Sequence, residues 1–561
     1  MELNGTGIGE GIALGPVARM AEPLPEPVDR PTHLDAEREG QRATASLSVV
    51  AAELNRRGTQ AGGAARDILE AQAMMAEDVT LADDITARLA EGKTAERAVF
   101  EAFAAFRDLL AGMGGYMGER AADLDDVSQR VIAHLLKLPA PGIPNPGHPF
   151  VLVARDLAPA DTALLDLDQV LALITTDGGP TSHTAILARE KSIVAVVGAA
   201  GAATLADGDQ VIVDAAADAV IASPSEEQLS AAKARIEERA QRSQEPTGPG
   251  ALADGTAVPL LANLGSAAGA ADALAAGAEG VGLFRTEFLF LDSQSAPTVR
   301  EQQEQYTKLL TAFAGKKVVA RVLDAGADKP LAFLNDAPEE NPALGLRGIR
   351  SLRRSETILR EQLTALAAAD AATDADLWVM APMIATVEEA RYFTALAKEL
   401  GIRTAGVMVE VPATALLADR VLAVTDFASI GTNDLTQYTM AADRLLGTVA
   451  NFQDPWHPAV LRLVAEVGAA GLAAGKPVGI CGEAAADPLL AVVLVGLGAT
   501  TLSMSPSALA DVRASLARFT LDDARALAEV ALAADGAAEA KSAAKSCAAE
   551  RTAGRVPAPA T

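Results

Sequence analysis

From about Val258 to Met504 the chain repeats one pattern eight times: a short apolar run, a stretch of loop chemistry, then a helical periodicity. The runs are Val258–Leu264, Gly280–Phe284, Val318–Leu323, Leu377–Met383, Gly406–Val411, Phe427–Ile430, Pro477–Ile480 and Thr501–Met504. Eight βα units over about 280 residues is the size of a closed (β/α)8 barrel. That architecture fixes where chemistry belongs, because its catalytic groups sit at the C-terminal ends of the strands.

Polar residues fall at those ends. Arg285, Thr286 and Glu287 follow the second run. Arg321, Asp324, Asp328 and Lys329 close or follow the third. Glu410 sits in VMVEVPA, Asn433 and Asp434 in SIGTNDLTQ, and Cys481 and Glu483 in GICGEAA. One charged residue after one strand is ordinarily half of an exposed ion pair. Five strands presenting such groups at one rim describe a site. Arg285, Arg321 and Lys329 supply positive charge, and arginine forks hold phosphate or carboxylate through paired hydrogen bonds. Arg347, in NPALGLRGIR, and Arg444 are placed to join them. Glu410 and Asp434 are the best pair of hard oxygen ligands, and Mg2+ takes one or two carboxylates with substrate oxygens completing its octahedron. Cys481 is open to three readings at this stage: a small buried hydrophobe, a nucleophile or a proton donor.

The first half reads differently. Residues 1–20 are glycine-punctuated strands, and Gly5, Gly7, Gly9 and Gly11 do not form G-x-G-x-x-G. Thr32 to Leu138 is helical, with candidate helices at 33–57, 63–76, 78–91, 94–111 and 118–137. Pro139, Pro141, Pro144, Pro146 and Pro149 break that pattern. Strand-like runs follow at Phe150–Ala154, Val170–Thr175, Ile193–Val197 and Gln210–Asp214. The expectation is an α/β domain of residues 1–31 and 140–224, interrupted by an all-helical insertion at 32–139. A polar helical stretch and PTGPG make 225–250 the linker, and 251–535 the barrel domain. Residues 536–561, rich in Ala, Lys, Glu and Pro, are expected to be a frayed helix and disordered tail.

His183 stands out among five histidines. In TTDGGPTSHTAILARE, Leu171–Thr175 reads as strand, Gly178-Gly179-Pro180 as turn and Thr184–Glu190 as helix, with Thr181 or Ser182 as N-cap. That puts His183 in a first helical turn. There the helix dipole disfavours the imidazolium and keeps the ring nucleophilic. The free N–H groups and the hydroxyls of Thr181, Ser182 and Thr184 suit a phosphate carried on the ring. His457, in PWHPAV, reads as structural, and the acidic pairs Glu77-Asp78 and Asp83-Asp84 as a solvated face.

The formal net charge is -27, which opposes binding to nucleic acid and to anionic membranes. An anionic substrate therefore needs a local cationic pocket. Two distant cysteines, Cys481 and Cys547, make no disulfide framework. No apolar run is long enough to span a bilayer, and residues 1–20 do not read as a signal peptide. The expected location is the cytoplasm.

Taken in order, GGPTSHTAILAR, EGVGLFRTEFLF, RVLDAGADK, NPALGLRGIR, GVMVEVPA, SIGTNDLTQYTMAADR and GICGEAAADP resemble enzyme I of the bacterial sugar phosphotransferase system, over roughly residues 1–535. The resemblance implies that phosphoenolpyruvate phosphorylates His183, which passes the group to a histidine of the carrier protein HPr and releases pyruvate. It implies that Arg285, Arg321, Arg347 and Arg444 bind phosphoenolpyruvate together with Asn433 and its neighbours, and that Glu410 and Asp434 bind Mg2+. It makes Cys481 the acid that protonates the enolate. It also implies a swivelling phosphohistidine domain, HPr docking on the helical insertion, and a homodimer formed through the barrel. The sequence departs from the family pattern at Pro180, where Arg is common, and in the DAGADK and GEAAAD loops. Two other readings remain: an enzyme like phosphoenolpyruvate synthase or pyruvate phosphate dikinase, which needs an ATP-binding domain, and a non-catalytic signalling homologue.

Overall fold

The computed structural model describes residues 2–9, 11–21, 24–61, 63–113, 121–139, 142–157, 165, 169–179, 182, 184–185, 188, 193–244, 248–290, 295–325, 331, 333–334, 339–444, 449 and 452–553. They form two units, Met1–Glu237 and Glu238–Thr561.

The first unit holds one mixed sheet and a helical bundle. Its strands are β1 (Glu2–Asn4), β2 (Thr6–Ile8), β3 (Ile12–Arg19), β4 (Phe150–Ala154), β5 (Val170–Thr175), β6 (Ala195–Val197), β7 (Gln210–Asp214) and β8 (Ala219–Ala222), in the order β1-β8-β7-β3-β4-β5-β6-β2. β3 through β6 run parallel, with antiparallel pairs at both flanks. The sheet is buried on both faces, which is why β4 has no exposed residue. β8, only four residues of AVIA, gave no separate signal in the sequence.

Between β3 and β4 lie α1 (Ala36–Ala61), α2 (Gly63–Ala76), α3 (Val79–Ala90), α4 (Ala95–Met113) and α5 (Ala121–Leu136), close to the expected helices. Leu47, Leu54, Leu81, Ile85, Val99 and Phe103 recur at helical spacing and share one core. Asp78 caps α3 by accepting from Thr80 N and Leu81 N. His134 Nδ1 meets Ser46 Oγ at 2.9 Å.

In the second unit, β9 (Leu260–Leu264), β10 (Gly280–Arg285), β11 (Lys317–Arg321), β12 (Asp376–Ala381), β13 (Thr404–Val409), β14 (Ala428–Ile430), β15 (Val478–Ile480) and β16 (Thr501–Met504) close into an all-parallel barrel in sequence order. The expected barrel is present. β12 and β13 end two residues before the apolar runs do, so Met383 and Glu410 stand on the rim. The helix Ala537–Thr552 corrects the expectation of disorder across 536–561. Ala540 and Ala544, one turn apart, are fully buried on the barrel's outer layer. Lys541 and Arg551 reach Asp487 and Asp523. Residues 554–561 lie outside the described set.

Candidate active site at the barrel rim

Each rim group is placed by the residue where its strand stops pairing. β10 ends in Arg285, and among the described residues its guanidinium has no hydrogen-bond or ion-pair partner. β11 ends in Arg321, which is 7% exposed. Its Nη2 donates to Glu287 Oε1 at 2.9 Å, and its Nη1 lies 3.0 Å from Asp324 Oδ2. Glu287 Oε1 also accepts from Asp324 N at 3.0 Å.

Arg347 is the hub. Its Nε donates to Asp324 Oδ1 at 3.2 Å and its Nη2 to Asp324 Oδ2 at 3.1 Å. Its Nη1 and Nη2 reach Asp434 Oδ1 and Oδ2 at 2.8 and 3.1 Å. One planar cation thus bridges two carboxylates, a geometry that a lysine point charge does not reproduce. Burial works against that charge, but Asp324 and Asp434 outweigh it and hold the guanidinium firmly ionised. Arg444 Nη1 approaches Asp434 from another side at 3.7 Å. Asp434 sits in the first turn of the helix Thr432–Met440, and Tyr438, one turn on, accepts from Arg347 Nη1 at 3.2 Å. Asn433 Nδ2 donates to Glu483 Oε1 at 3.2 Å and Asn433 Oδ1 accepts from Glu483 N at 3.0 Å, tying two rim loops together.

Glu410 is 1% exposed and accepts from Met383 N at 2.5 Å. Burial pushes its carboxyl up to about 8, with Asp434 and Asp324 adding to the rise against Arg321 and Arg347. Cys481 is 2% exposed, and its Sγ donates to Ile430 O at 3.5 Å. Burial pushes this thiol up to about 11, so it carries its proton at neutral pH.

Models of the PEP-utilising enzymes match along the chain: their N-terminal domain at residues 4–120, their mobile domain at 146–218 and their PEP-binding domain at 239–521. The phosphoenolpyruvate-protein phosphotransferase of Streptomyces coelicolor is 52% identical over 546 residues, covering 97% of this chain and 98% of that protein. Its counterpart in Bacillus subtilis is 38% identical, covering 94% and 96%. The chain belongs to the phosphoenolpyruvate-protein phosphotransferase family.

Of the residues expected to serve that family's chemistry, the structure brings Arg285, Arg321, Arg347, Asn433, Asp434, Arg444, Glu410 and Cys481 to one rim. His183 and Lys329 lie outside the described residues, as do Pro180 and most of DAGADK. The neighbours of His183 in sequence are described. Ser182 Oγ accepts from Ala185 N at 3.3 Å, the bond expected of an N-cap. Thr184 Oγ1 donates to Asp156 Oδ1 at 2.5 Å and accepts from Leu157 N at 3.0 Å. Of the helix expected at 184–190, residues 184, 185 and 188 are described, and all are helical. His457 caps the helix Pro458–Ala474 by accepting from Ala459 N.

Sequence reasoning missed Tyr438 and Gln362. The four-residue step from Asp434 to Tyr438 was a usable signal, since such positions share a helix face. Gln362 lies on the helix Glu356–Ala371, and its Nε2 donates to Thr286 Oγ1 at 3.0 Å while its Oε1 accepts from Leu323 N at 2.9 Å. Nothing local in its sequence marks that reach.

A pH effect follows for the metal-free protein. A carboxyl raised above its ordinary 4.5 contributes stability that is present below 4.5 and lost as pH rises through about 8. Glu410→Gln removes that loss. Thermal midpoints across this range are expected to fall for the parent and to stay flatter for the variant. Equal slopes would contradict the burial of an ionising Glu410.

Proposed function

We propose that the chain transfers the phosphoryl group of phosphoenolpyruvate to the ring of His183 and then to a histidine of HPr, releasing pyruvate, as the first step of sugar uptake. The observation that carries this reading is the rim itself. On a chain of net charge -27, Arg321, Arg347 and Arg444 meet the buried carboxylates of Glu287, Asp324 and Asp434 at one rim, and Arg285 beside them has no hydrogen-bond or ion-pair partner among the described residues. A trianionic donor fits such a place by paired hydrogen bonds. Arg285 and Arg444 hold its phosphate and carboxylate oxygens, and Arg321 and Arg347, locked by their carboxylates, fix the floor. Asn433 orients the phosphoryl group.

Glu410 and Asp434 fit a hard divalent cation. They are buried together, and Glu410 is pushed up partly by the charge of Asp434, which is the repulsion a cation relieves. Both Asp434 oxygens accept from Arg347, which leaves each a second lone pair. Bound there, Mg2+ offsets charge on the donor's phosphoryl and carboxylate oxygens. A readout independent of activity is available: Mg2+ is expected to raise the thermal midpoint of the parent and not that of Glu410→Gln.

In the transfer the P–O bond to the enol oxygen breaks as a P–N bond to His183 forms. The transition state is loose and highly charged, so positioning and cationic stabilisation supply most of the catalysis. The enolate then takes the proton of Cys481 at its methylene carbon and leaves as pyruvate. Cys481→Ala is expected to slow pyruvate formation by roughly 10²- to 10⁴-fold, the usual range for a lost general acid. Its affinity for phosphoenolpyruvate is expected to stay near that of the parent, measured by calorimetry. An unchanged rate would remove Cys481 from the chemistry.

The helical insertion is assigned to HPr. Met74 and Val79, flanking the α2–α3 junction, are 66% and 74% exposed, beside the acidic residues Glu77 and Asp78. Such a surface suits a partner that is basic and partly apolar. The barrel is assigned to a homodimer and the protein to the cytoplasm; among the described residues no helix is long and apolar enough to cross a membrane. The deciding assay mixes the chain with purified HPr, Mg2+ and labelled phosphoenolpyruvate. Label moving to an HPr histidine with matching pyruvate release supports the reading, whereas transfer that requires ATP would replace it.

A further inference from the structure

Cys481 lies one residue past the end of its strand, β15. The β15–β16 register stops at Ile480 opposite Leu502, so the strand ladder does not extend to Cys481 on that side. Its backbone is nonetheless held from both directions. Cys481 N donates to Ile430 O at 3.0 Å, a bond to β14. The Cys481 carbonyl accepts from Asn263 Nδ2 at 3.1 Å. Asn263 belongs to β9, two strands away in the closed barrel. A side chain thus reaches over the end of β16 and makes the bond that a strand partner would have made.

Asn263 is set up for this reach. Side chains at i and i+2 share a face, and Leu261 lines the barrel interior with Gly282 and Ser503. Asn263 therefore stands in the next interior layer, half-buried. In a packed barrel such layers are mostly branched aliphatic side chains. A carboxamide placed there costs free energy unless its groups are bonded. Here they are. Ser503 Oγ donates to Asn263 Oδ1, and Asn263 Nδ2 reaches Ser503 O at 3.4 Å besides Cys481 O. With Nδ2 facing two carbonyl oxygens, the amide cannot be turned over, because the flipped form sets Oδ1 against two acceptors. Gly282, on β10, makes the room: a methyl group there would collide with Ser503 Cβ and Oγ.

We infer that Asn263, oriented by Ser503, is a positioning residue for enolate protonation: it fixes the Cys481 backbone so that the thiol presents its proton to one face of the enolate. The inference rests on the role proposed above for Cys481 as the acid. In the structure the thiol donates to Ile430 O. To reach the methylene carbon it turns about its Cα–Cβ bond, and the backbone held by Ile430 and Asn263 sets the direction of that bond. In the step the S–H bond breaks, a C–H bond forms and the enolate oxygen becomes the ketone of pyruvate. The thiolate takes a proton from solvent once pyruvate has left. Proton transfer requires donor and acceptor within hydrogen-bonding reach, and a displacement of about 1 Å costs on the order of 10²-fold in rate.

The test reads the face of protonation. Phosphoenolpyruvate with deuterium at one of its two C3 positions is turned over in tritiated water with Mg2+ and HPr. The pyruvate is reduced at once to lactate, which preserves the configuration of its methyl group. The parent is expected to give one configuration. Asn263→Asp keeps the shape of the side chain and replaces its N–H donors with an acceptor. It is expected to slow pyruvate formation roughly 10²-fold, to give both configurations, and to bind phosphoenolpyruvate as the parent does in calorimetry. Ser503→Ala leaves the carboxamide in place and free to turn, and a mixture with a smaller loss of rate is expected from it; it decides the matter should Asn263→Asp not fold. Both configurations from the parent overturn the inference. So does a single configuration from Asn263→Asp or, in its place, from Ser503→Ala. Cys481→Ala tells the two readings apart. One configuration at the parental rate from that variant removes the acid, and the inference with it. A slow, mixed product from Cys481→Ala beside a parental product from Asn263→Asp leaves the acid standing and removes the positioning role alone.

Discussion

Arg347→Met is expected to cost about 3–5 kcal/mol of barrel stability, the penalty for stranding buried charge, and to reduce phosphoenolpyruvate-dependent phosphorylation roughly 10²-fold or more, as when the floor that positions a donor shifts. The reason is in the geometry. Asp324 and Asp434 are 4% and 6% exposed, and Arg347 is the cation that bridges them. Methionine fills much the same volume, so the loss reports charge and not a cavity. Arg347→Lys sharpens the point. Its point charge meets one carboxylate at a time, so it is expected to recover much of the stability and little of the activity. Urea unfolding of both variants, alongside kcat/KM, separates the two effects. If Arg347→Met unfolded like the parent, the buried network would not be what holds the rim.

Much of this rim was legible because a parallel barrel leaves two kinds of mark. Its strands are apolar runs of set length, and its function is polar residues where those runs stop. Glu410 in VMVEVPA is the clear case: a carboxylate embedded in an apolar run has to be at an end or in a site. The strand ends themselves were less legible. The apolar run through Leu377–Met383 continues past the last paired residue, and Met383 adopts φ 57, a backbone turn that its side chain does not advertise. The helix Ala537–Thr552 was misread for a different reason. Its buried face is alanine, and alanine recurs on its other faces too, so the sequence AAEAKSAAKSCAAERT carries almost no amphipathic contrast. The gap at Gly479 inside the barrel escaped sequence reading altogether. Gly479 was read as one more residue of the run Pro477–Ile480, and what faces it comes from Thr501 and Ser429 on two neighbouring strands.

The second large effect concerns His183. The flanking residues Ser182 and Thr184 are held by Ala185 N, Asp156 and Leu157 N, and a helix start is a setting that favours an anion. The donor site and the histidine belong to different units of the chain, so substitution at His183 is expected to leave the Arg347 network and donor binding intact while abolishing transfer. The direct measurement is incorporation of label from phosphoenolpyruvate into the purified chain with Mg2+, followed by quantitation of the linkage at acid and alkaline pH. About one acid-labile, base-stable phosphoryl group per chain, absent in His183→Ala, is the predicted result for a histidine nucleophile. Label that persists in His183→Ala, or that proves acid-stable and base-labile, would contradict the account.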